Sequence, residues 1–406
     1  MSQTMKHATQ RATARAMTHA ATHDARRTGG RAAEPGAKEV EDAGRRRLLR
    51  LGAAGLLGQG LMPESALALV TGAPSAVDGV LPLRRLGAGG PLVPAVGLGC
   101  MGMSEFYGKA DARAVRRTLD TAFERGTMLL DTADMYGSGA NERLLGQYLR
   151  GRRSGAVVAT KFGIVRERQG WHVDNRPAYV KAACEASLRR LGIDCIDIYY
   201  AHRIDPGHPV EDMIGAMAQL VKEGKVRAIG LSEAAPSTIR RAHAVHPIAA
   251  VETEYSLFSR EPERELIPLC AEIGAAFVPY APLSRGLLGG QAAPADKLEA
   301  DDFRKHLPRF QADNFRQNRA IVAAFAALAR RRECSSATLA LAWLLGQGAH
   351  LVPIPGTRRA DHLADNLAAA SLQLSAEERA EIERLFPVGV AHGKRYSDKE
   401  LTTVDL

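Results

Sequence analysis

Apolar and polar positions alternate along the chain on two length scales from about residue 84 onward. Short apolar runs are separated by longer segments with a helical period. The short runs are apolar on both faces, which is typical of strands buried in a parallel sheet. Eight such runs with helices between them predict an α/β fold, a single (β/α)8 TIM barrel. The predicted strands are residues 96–100, 128–131, 156–161, 196–201, 226–231, 249–253, 275–280 and 350–354.

Proline and glycine mark where the predicted helices begin and end. Pro177 and Pro236 stand at first helical positions, and Gly192 and Gly224 follow last turns. A short hairpin over 84–94 is predicted before the first strand. The loop over 281–313 is long enough to suggest a lid or clamp. The predicted helices cover residues 112–126, 141–149, 177–191, 209–223, 236–245, 262–273, 314–331, 337–345 and 361–370.

The positive charge of the chain is concentrated near its start. Residues 1–50 hold 11 of the 54 Lys and Arg residues and only 5 of the 45 Asp and Glu residues. The remainder is close to neutral, which argues against a nucleic-acid partner. The five cysteines are scattered without metal-ligand spacing, so we expect small buried side chains rather than disulfides or a metal site.

The first 68 residues predict a basic extension followed by an export signal. Residues 1–43 lack an apolar period and are expected to be disordered. Residues 44–68 place paired arginines before a short Gly-rich apolar stretch, which resembles a twin-arginine signal but is too short for a membrane span. If used, it implies the twin-arginine export machinery as a partner and a periplasmic location. The alternative is an upstream extension on a cytoplasmic protein. Residues 69–83 are interpreted as a linker.

Candidate chemistry lies at the carboxyl ends of the predicted strands, where barrel active sites are found. Asp131, Lys161 and His202 end or follow strands two, three and four, and Tyr136 lies in the loop after Asp131. A lysine at the end of an apolar strand needs a carboxylate, which Asp131 supplies. Tyr136 beside that cation is expected to have a pKa lowered towards neutrality and to donate a proton to a carbonyl oxygen. His202 can orient the same oxygen.

A series of ordered motifs resembles the aldo-keto reductase family. The resemblance runs from about Arg84 to about Phe386, so 84–386 is interpreted as the barrel and 387–406 as a C-terminal tail. The motifs are Leu130-Asp131-Thr132-Ala133-Asp134-Met135-Tyr136-Gly137 with Asn141-Glu142, Lys161-Phe162-Gly163, Tyr199-Tyr200-Ala201-His202-Arg203, Gly230-Leu231-Ser232, Glu254-Tyr255-Ser256-Leu257, Pro279-Tyr280-Ala281-Pro282-Leu283-Ser284-Arg285-Gly286, Pro353-Ile354-Pro355-Gly356-Thr357 and His362-Leu363-Ala364-Asp365-Asn366.

The resemblance implies reduction of aldehydes or ketones by hydride transfer from NADP(H), which family members bind extended across the barrel mouth. It implies that Tyr136 is the general acid, that Lys161 and Asp131 tune it, and that His202 orients the substrate. Arg358 is the argument for NADP over NAD, because a guanidinium suits a 2′-phosphate. The implied cofactor contacts are the backbone of Cys100 and Met101 and the ring of Tyr280 at the nicotinamide, Ser232 at the carboxamide, Ala281, Leu283, Ser284 and Arg285 at the pyrophosphate, Gly356, Thr357 and Arg358 at the 2′-phosphate, and His362, Asp365 and Asn366 at the ribose and adenine.

Two acidic residues depart from the broad family pattern. Glu233 follows Ser232 where Asn or Arg is common, and Glu252 stands where Gln usually bonds the carboxamide. A carboxylate accepts from an amide NH₂ but cannot donate to its carbonyl. Weakened or retuned cofactor binding is therefore expected at these two positions.

Other functions are weighed against carbonyl reduction. Some family members are auxiliary subunits of potassium channels with slow turnover, so a regulatory or binding subunit is the alternative, and turnover of NADPH distinguishes it. A metal-dependent hydrolase is disfavoured because the strand ends carry no HxH or paired His/Asp pattern. The partner is then a small carbonyl substrate, which Tyr107 and residues 205–209 are expected to border.

Overall fold

The computed structural model describes residues 81–126, 129–168 and 170–405. The predicted extension over 1–43, the twin-arginine-like segment over 44–68 and residues 69–80 of the predicted linker lie outside the described residues. Within the described ranges, no helix combines the length and the apolarity that crossing a membrane requires.

Parallel strands form the barrel wall, and a short hairpin precedes it. The strands are β1 Leu83–Arg85, β2 Leu92–Pro94, β3 Leu98–Gly99, β4 Leu129–Asp131, β5 Val157–Phe162, β6 Ile164–Glu167, β7 Gly170–Val173, β8 Ile196–Ala201, β9 Val226–Ser232, β10 Ala250–Glu254 and β11 Ala276–Tyr280. The predicted hairpin is formed by β1 and β2, which pair antiparallel. The barrel strands lie in the order β3-β4-β5-β8-β9-β10-β11. Residues 350–356 close the barrel, because Leu351 pairs with Phe277 on one edge and Gly356 pairs with Gly99 on the other.

The predicted (β/α)8 barrel is confirmed, with a correction at its eighth strand. Residues 350–354 are extended but form isolated pairs instead of a regular ladder. Pro353 and Pro355 have no N–H to donate, so two of the ladder hydrogen bonds cannot form. Ile354 N still donates to the carbonyl oxygen of Pro279 at 3.0 Å. We call residues 350–356 the closing segment.

The helices lie where the proline, glycine and capping patterns predict them, with bounds shifted by a few residues. Gly192 ends the helix over Pro177–Leu191 with φ +65°, a left-handed conformation that glycine adopts without steric cost. The predicted helix over 262–273 is the least accurate, because a 3-10 turn over Glu261–Glu263 comes before a short helix over Leu266–Glu272. The helices are α1 Ala112–Glu124, α2 Ala140–Leu149, α3 Pro177–Leu191, α4 Val210–Lys222, α5 Pro236–Val245, α6 Leu266–Glu272, α7 Ala312–Arg331, α8 Ser336–Leu345, α9 Ala360–Ala368, α10 Ala376–Leu385 and α11 Asp398–Leu401.

The sequence analysis missed the β6–β7 hairpin and the last two helices. The hairpin is antiparallel and follows β5 directly. Both α10 and α11 begin with a capping box, in which the Ser side chain accepts from the N3 amide and the N3 Glu accepts from the cap. The S-x-x-E spacing at Ser375 and Ser397 was therefore a usable signal. The loop over 281–313 consists of short 3-10 turns that lie over the barrel mouth.

The interior of the barrel is packed with side chains up to the level of the candidate site. Gly230 of β9 leaves room for the Tyr200 ring, because a Cβ at position 230 would lie 2.4 Å from Cε1 of Tyr200. Above that ring stands Lys161, whose Nζ lies 5.8 Å from the ring centre. The mouth above this lysine is therefore the place where the barrel opens into a cleft.

Candidate active site

The ends of β4, β5 and β8 bring the four predicted catalytic residues together. Asp131, Tyr136 and His202 line one cleft of about 650 Å³ at the barrel mouth. Lys161 lies beneath it and is fully buried. The strand register explains the grouping, since Asp131 pairs with Ala159 of β5 and Lys161 pairs across to β8. Tyr136 reaches the group from a turn in which its amide donates to the carbonyl oxygen of Ala133 at 3.2 Å.

The Lys161 ammonium contacts two carboxylates, whereas the sequence predicted Asp131 alone as its partner. Its ammonium donates to Oδ1 of Asp131 and to the carbonyl oxygen of Thr132 at 3.0 Å. Oε2 of Glu252 lies 3.3 Å from the same nitrogen. Burial alone would lower the pKa of Lys161, but the two carboxylates outweigh it and raise that pKa above its ordinary value. Lys161 is therefore a fixed cation.

The two carboxyl groups compete for this one cation. Burial and the negative charge of Asp131 raise the pKa of Glu252 to about 8, against the opposing effect of Lys161. Burial likewise raises the pKa of Asp131, and the Lys161 ammonium opposes that shift. Sequence reasoning assigned Glu252 only to the cofactor, because β10 is distant in sequence from β4 and β5.

Tyr136 keeps its proton, which corrects the expectation of a lowered pKa. The side chain is buried and its ring lies 5.6 Å from Nζ of Lys161. Burial raises the pKa of Tyr136 above its ordinary value, and the nearby ammonium lowers it by less. The tyrosine is thus protonated across the physiological range. Its role as a proton donor needs only that protonated form.

His202 stands edge-on to Tyr136 with 5.8 Å between ring centres. Burial, together with Arg203 and Lys161, holds the pKa of His202 well below its usual range. The imidazole is therefore neutral, with one nitrogen able to donate and one able to accept. Its Nδ1 has no hydrogen-bond partner among the described residues.

Most of the predicted cofactor residues line the same cleft, and three do not. Cys100 and Ser284 are buried outside its lining, and Glu233 is occupied elsewhere. The carbonyl oxygen of Cys100 already accepts from Nδ2 of Asn141 at 2.8 Å. The residues that line the cleft are Met101, Ser232, Glu252, Tyr280, Ala281, Leu283, Arg285, Gly356, Thr357, Arg358, His362, Asp365 and Asn366.

Glu233 forms an ion pair with the C-terminal tail. Its two carboxylate oxygens accept from Arg395 at 2.7 and 2.6 Å. Burial opposes ionisation, but the guanidinium lowers the pKa of Glu233 to about 2. Next to this pair, the hydroxyl groups of Tyr396 and Tyr280 lie 3.0 Å apart. The C-terminal tail thus contributes to one side of the cleft, through Tyr396, Glu400 and Thr403.

Arg285 and Arg358 each make protein contacts of their own. Arg285 forms a buried ion pair with Glu254 at 2.7 Å, although it also lines the cleft. Arg358 donates to the carbonyl oxygens of Tyr107 and Gly108 at 2.8 and 3.1 Å. These two guanidinium groups are therefore held in place before any ligand binds.

Aromatic side chains form the outer rim of the cleft. Phe303 stands edge-on to both Phe106 and Tyr107, with ring centres 5.8 and 5.4 Å apart. Trp171 of the β6–β7 hairpin also lines the cleft and is 41% exposed. Tyr107 thus borders the cleft as expected. Residues 205–209 are not among the lining residues, whereas Ile164 and Trp171 of the unpredicted hairpin are.

We expect Arg395→Met to loosen the C-terminal tail. The substitution leaves the Glu233 carboxylate buried without its guanidinium, which is costly. Limited chymotrypsin digestion should then cleave residues 387–405 at least about tenfold faster than in the unchanged protein. Arg384→Met is the matched control, because Arg384 is exposed and its guanidinium donates to the carbonyl oxygen of Ala380 in its own helix. Equal cleavage rates in the two variants would contradict a structural role for the Arg395 pair.

Comparison with known proteins places this geometry in a family. Residues 95–386 match the model of the Aldo/keto reductase family. The glycerol dehydrogenase AKR11B4 from Gluconobacter oxydans is 29% identical, with a TM-score of 0.68 over 75% of this chain and 94% of that chain. The holo form of the aldo-keto reductase AKR11C1 from Bacillus halodurans is 30% identical, with a TM-score of 0.63 over 76% and 97%.

A third similar structure is a thermostable aldo-keto reductase in complex with the inhibitor epalrestat. It is 28% identical to this chain, and the TM-score is 0.59 over 75% of this chain and all of that chain. The family match covers well over half of the chain, and it includes Asp131, Tyr136, Lys161 and His202. The chain belongs to the aldo/keto reductase family and is an oxidoreductase that acts on carbonyl or alcohol groups.

Proposed function

We propose that this protein reduces small aldehydes or ketones with NADP(H), and that Tyr136 is the general acid. One observation carries the proposal: a protonated Tyr136 and a neutral His202 face the same cleft directly above the buried Lys161 ammonium. This arrangement gives a carbonyl oxygen one proton donor and one neutral hydrogen-bonding group. A fixed cation lies behind both of them.

The residues of the cleft fit a nicotinamide dinucleotide. Tyr280 presents a half-buried ring to the cleft, which Ser232 also lines. Gly99 allows the backbone of the closing segment to come close, since a Cβ there would lie 2.8 Å from the carbonyl oxygen of Ile354. The adenosine end would be held by Thr357 and His362 at the start of α9. When bound, the reduced cofactor supplies a hydride to the carbonyl carbon.

The chain itself supplies the proton and the orientation. Tyr136 donates its hydroxyl proton to the carbonyl oxygen as negative charge develops there. The tyrosinate left behind is stabilised by Lys161, which Asp131 holds in place through a buried ion pair. His202, as a neutral imidazole that lines the cleft, positions the oxygen through a hydrogen bond. The buried setting excludes water and strengthens each of these interactions.

The preference for NADP over NAD is supported by the arginines beside the predicted adenosine end. Arg358 and Arg359 both line the cleft, next to Thr357. A guanidinium fixed in advance by the carbonyl oxygens of Tyr107 and Gly108 loses little freedom on binding a phosphate. The substrate end is walled by Phe106, Phe303 and Trp171, which favours small carbonyl compounds with an apolar side.

Oxidation of NADPH and NADH by the full chain, measured with a panel of aldehydes and ketones, tests this proposal. We expect turnover with NADPH at a KM at least about tenfold below that for NADH, as a charged contact of this kind is worth 1.5–3 kcal/mol. Arg358→Met should raise the KM for NADPH more than that for NADH. Tight NADPH binding without turnover of any carbonyl would contradict the proposal and favour a regulatory subunit.

A further inference from the structure

Two buried carboxyl groups share one ammonium beneath the cleft. Asp131 is 4% exposed and Glu252 is 3% exposed, and both contact Nζ of Lys161. The ammonium balances only one of them. Oε2 of Glu252 has no hydrogen-bond partner among the described residues, apart from its ionic contact with Lys161. The geometry therefore leaves one carboxyl group without full compensation.

In the part of the chain that the structure describes, the remaining groups around Glu252 do not supply a second full counter-charge. Tyr136 and Tyr200 face it as neutral side chains, and their pKa values are raised by burial. Arg203 is the next cation, and its effect on the pKa of Glu252 is smaller than those of Asp131 and Lys161. Its guanidinium donates to the carbonyl oxygen of His202 at 2.8 Å. Two carboxyl groups that share one site cannot both ionise easily.

We propose that Asp131 and Glu252 hold one proton between them near neutral pH and release it in alkaline solution, and that the fully ionised pair makes the cleft prefer the oxidised nicotinamide. This inference rests on the proposed function, because it requires a nicotinamide cofactor in the cleft. It gives Glu252 a role that the family pattern, with Gln at this position, does not have.

Glu252 lies where the charge of the Asp131–Glu252 pair can act on the nicotinamide ring. Glu252 pairs with Ser232 across β9 and β10, and both line the cleft together with Tyr280. These are the residues expected at the carboxamide and the nicotinamide ring. An oxidised nicotinamide carries a positive charge, whereas the reduced ring is neutral. A negative charge that appears at the pair therefore stabilises the oxidised form and leaves the reduced form almost unaffected.

Thermodynamic linkage makes the same coupling visible as proton release. If loss of the shared proton tightens binding of the oxidised cofactor, binding of that cofactor must favour loss of the proton to the same degree. The proton leaves to the buffer, and no bond of the cofactor changes. Binding of the reduced form should release no proton from the pair. A glutamine at position 252 cannot take part, because an amide does not titrate in this range.

The test is the dissociation constant of NADP⁺ and of NADPH for the full chain between about pH 7 and about pH 10. For the unchanged protein, we expect the ratio of the NADPH constant to the NADP⁺ constant to rise about tenfold over this range. Taking the ratio cancels the titration of the 2′-phosphate, which both forms carry. In Glu252→Gln the ratio should stay constant within about twofold.

Glu400→Gln is the matched control for this substitution. Glu400 also lines the cleft, but it caps α11 through Ser397 and is not a partner of Lys161. In Glu400→Gln, the ratio of the NADPH constant to the NADP⁺ constant should rise with pH as it does in the unchanged protein. Calorimetry of NADP⁺ binding in two buffers of different ionisation enthalpy, near pH 8, should show proton release by the unchanged protein. This second measurement does not depend on any variant folding.

The outcomes separate the inference from the proposed function. A ratio that does not change with pH, or that rises equally in Glu252→Gln, would overturn the shared proton while carbonyl turnover stands. Absence of proton release on NADP⁺ binding would do the same. If the protein bound neither form of the cofactor and reduced no carbonyl compound, both conclusions would fall.

Discussion

Tyr136→Phe should lower kcat for carbonyl reduction by a factor of about 10² to 10⁴, which is the usual contribution of a general acid. The substitution removes only the hydroxyl group, so the packing of the ring against Phe106 and His202 is kept. Binding of NADPH should persist within about twofold, because the hydroxyl acts on the substrate oxygen. Steady-state kinetics and fluorescence titration with NADPH measure the two quantities separately.

Tyr148→Phe is the control for this experiment. Tyr148 is also buried and its hydroxyl donates to Asp120 at 2.7 Å, but it lies on α2 away from the cleft lining. It should leave kcat unchanged. Turnover by Tyr136→Phe at the rate of Tyr148→Phe would exclude Tyr136 as the proton donor and would favour His202 in that role.

Glu254→Gln should lower the free energy of unfolding by about 3–5 kcal/mol, the usual effect of removing one partner from a buried ion pair. Glu254 is 1% exposed and lies between two buried guanidinium groups, with Arg285 at 2.7 Å and Arg309 at 3.5 Å. These cations hold down the pKa of Glu254 although burial opposes ionisation. Urea denaturation followed by circular dichroism measures the change.

The exposed pair of Glu211 and Arg241 provides the comparison. Arg241 donates to both carboxylate oxygens of Glu211 at 2.7 Å, but both side chains are exposed to solvent. Glu211→Gln should therefore cost less than about 1 kcal/mol. Similar losses in the two variants would mean that burial does not determine the strength of the Glu254 interactions.

The parts of the fold that local sequence determines could be predicted. Buried parallel strands and proline-marked helix starts depend on neighbouring residues, so the barrel and most helices were placed correctly. The grouping of the candidate catalytic residues followed from them, because Asp131, Lys161 and His202 stand at strand ends that a barrel must bring together. The eighth strand was less regular than expected, since two prolines within it remove ladder donors.

The contacts that join distant parts of the chain could not be predicted. Arg395 meets Glu233 across 162 positions, and nothing near either residue in sequence marks the pairing. Glu252 contacts Lys161 although β8 and β9 lie between their two strands, β10 and β5, in the barrel. The lowered pKa expected for Tyr136 was wrong for a related reason. Sequence shows the neighbouring cation but not the degree of burial, which has the larger effect.

The two prolines of the closing segment should make this segment the place where the barrel opens most easily. Because the closing segment lacks two hydrogen-bond donors, it should separate from its neighbouring strand at a lower free-energy cost than two strands joined by a full ladder. The amide protons at this contact should therefore exchange with solvent sooner than those elsewhere in the barrel. Gly356 and Thr357, at the end of this segment, are the residues expected beside the adenosine. Local opening of the barrel and binding of the dinucleotide would then involve the same closing segment. A molecule bound across this segment should therefore slow the opening of the whole barrel.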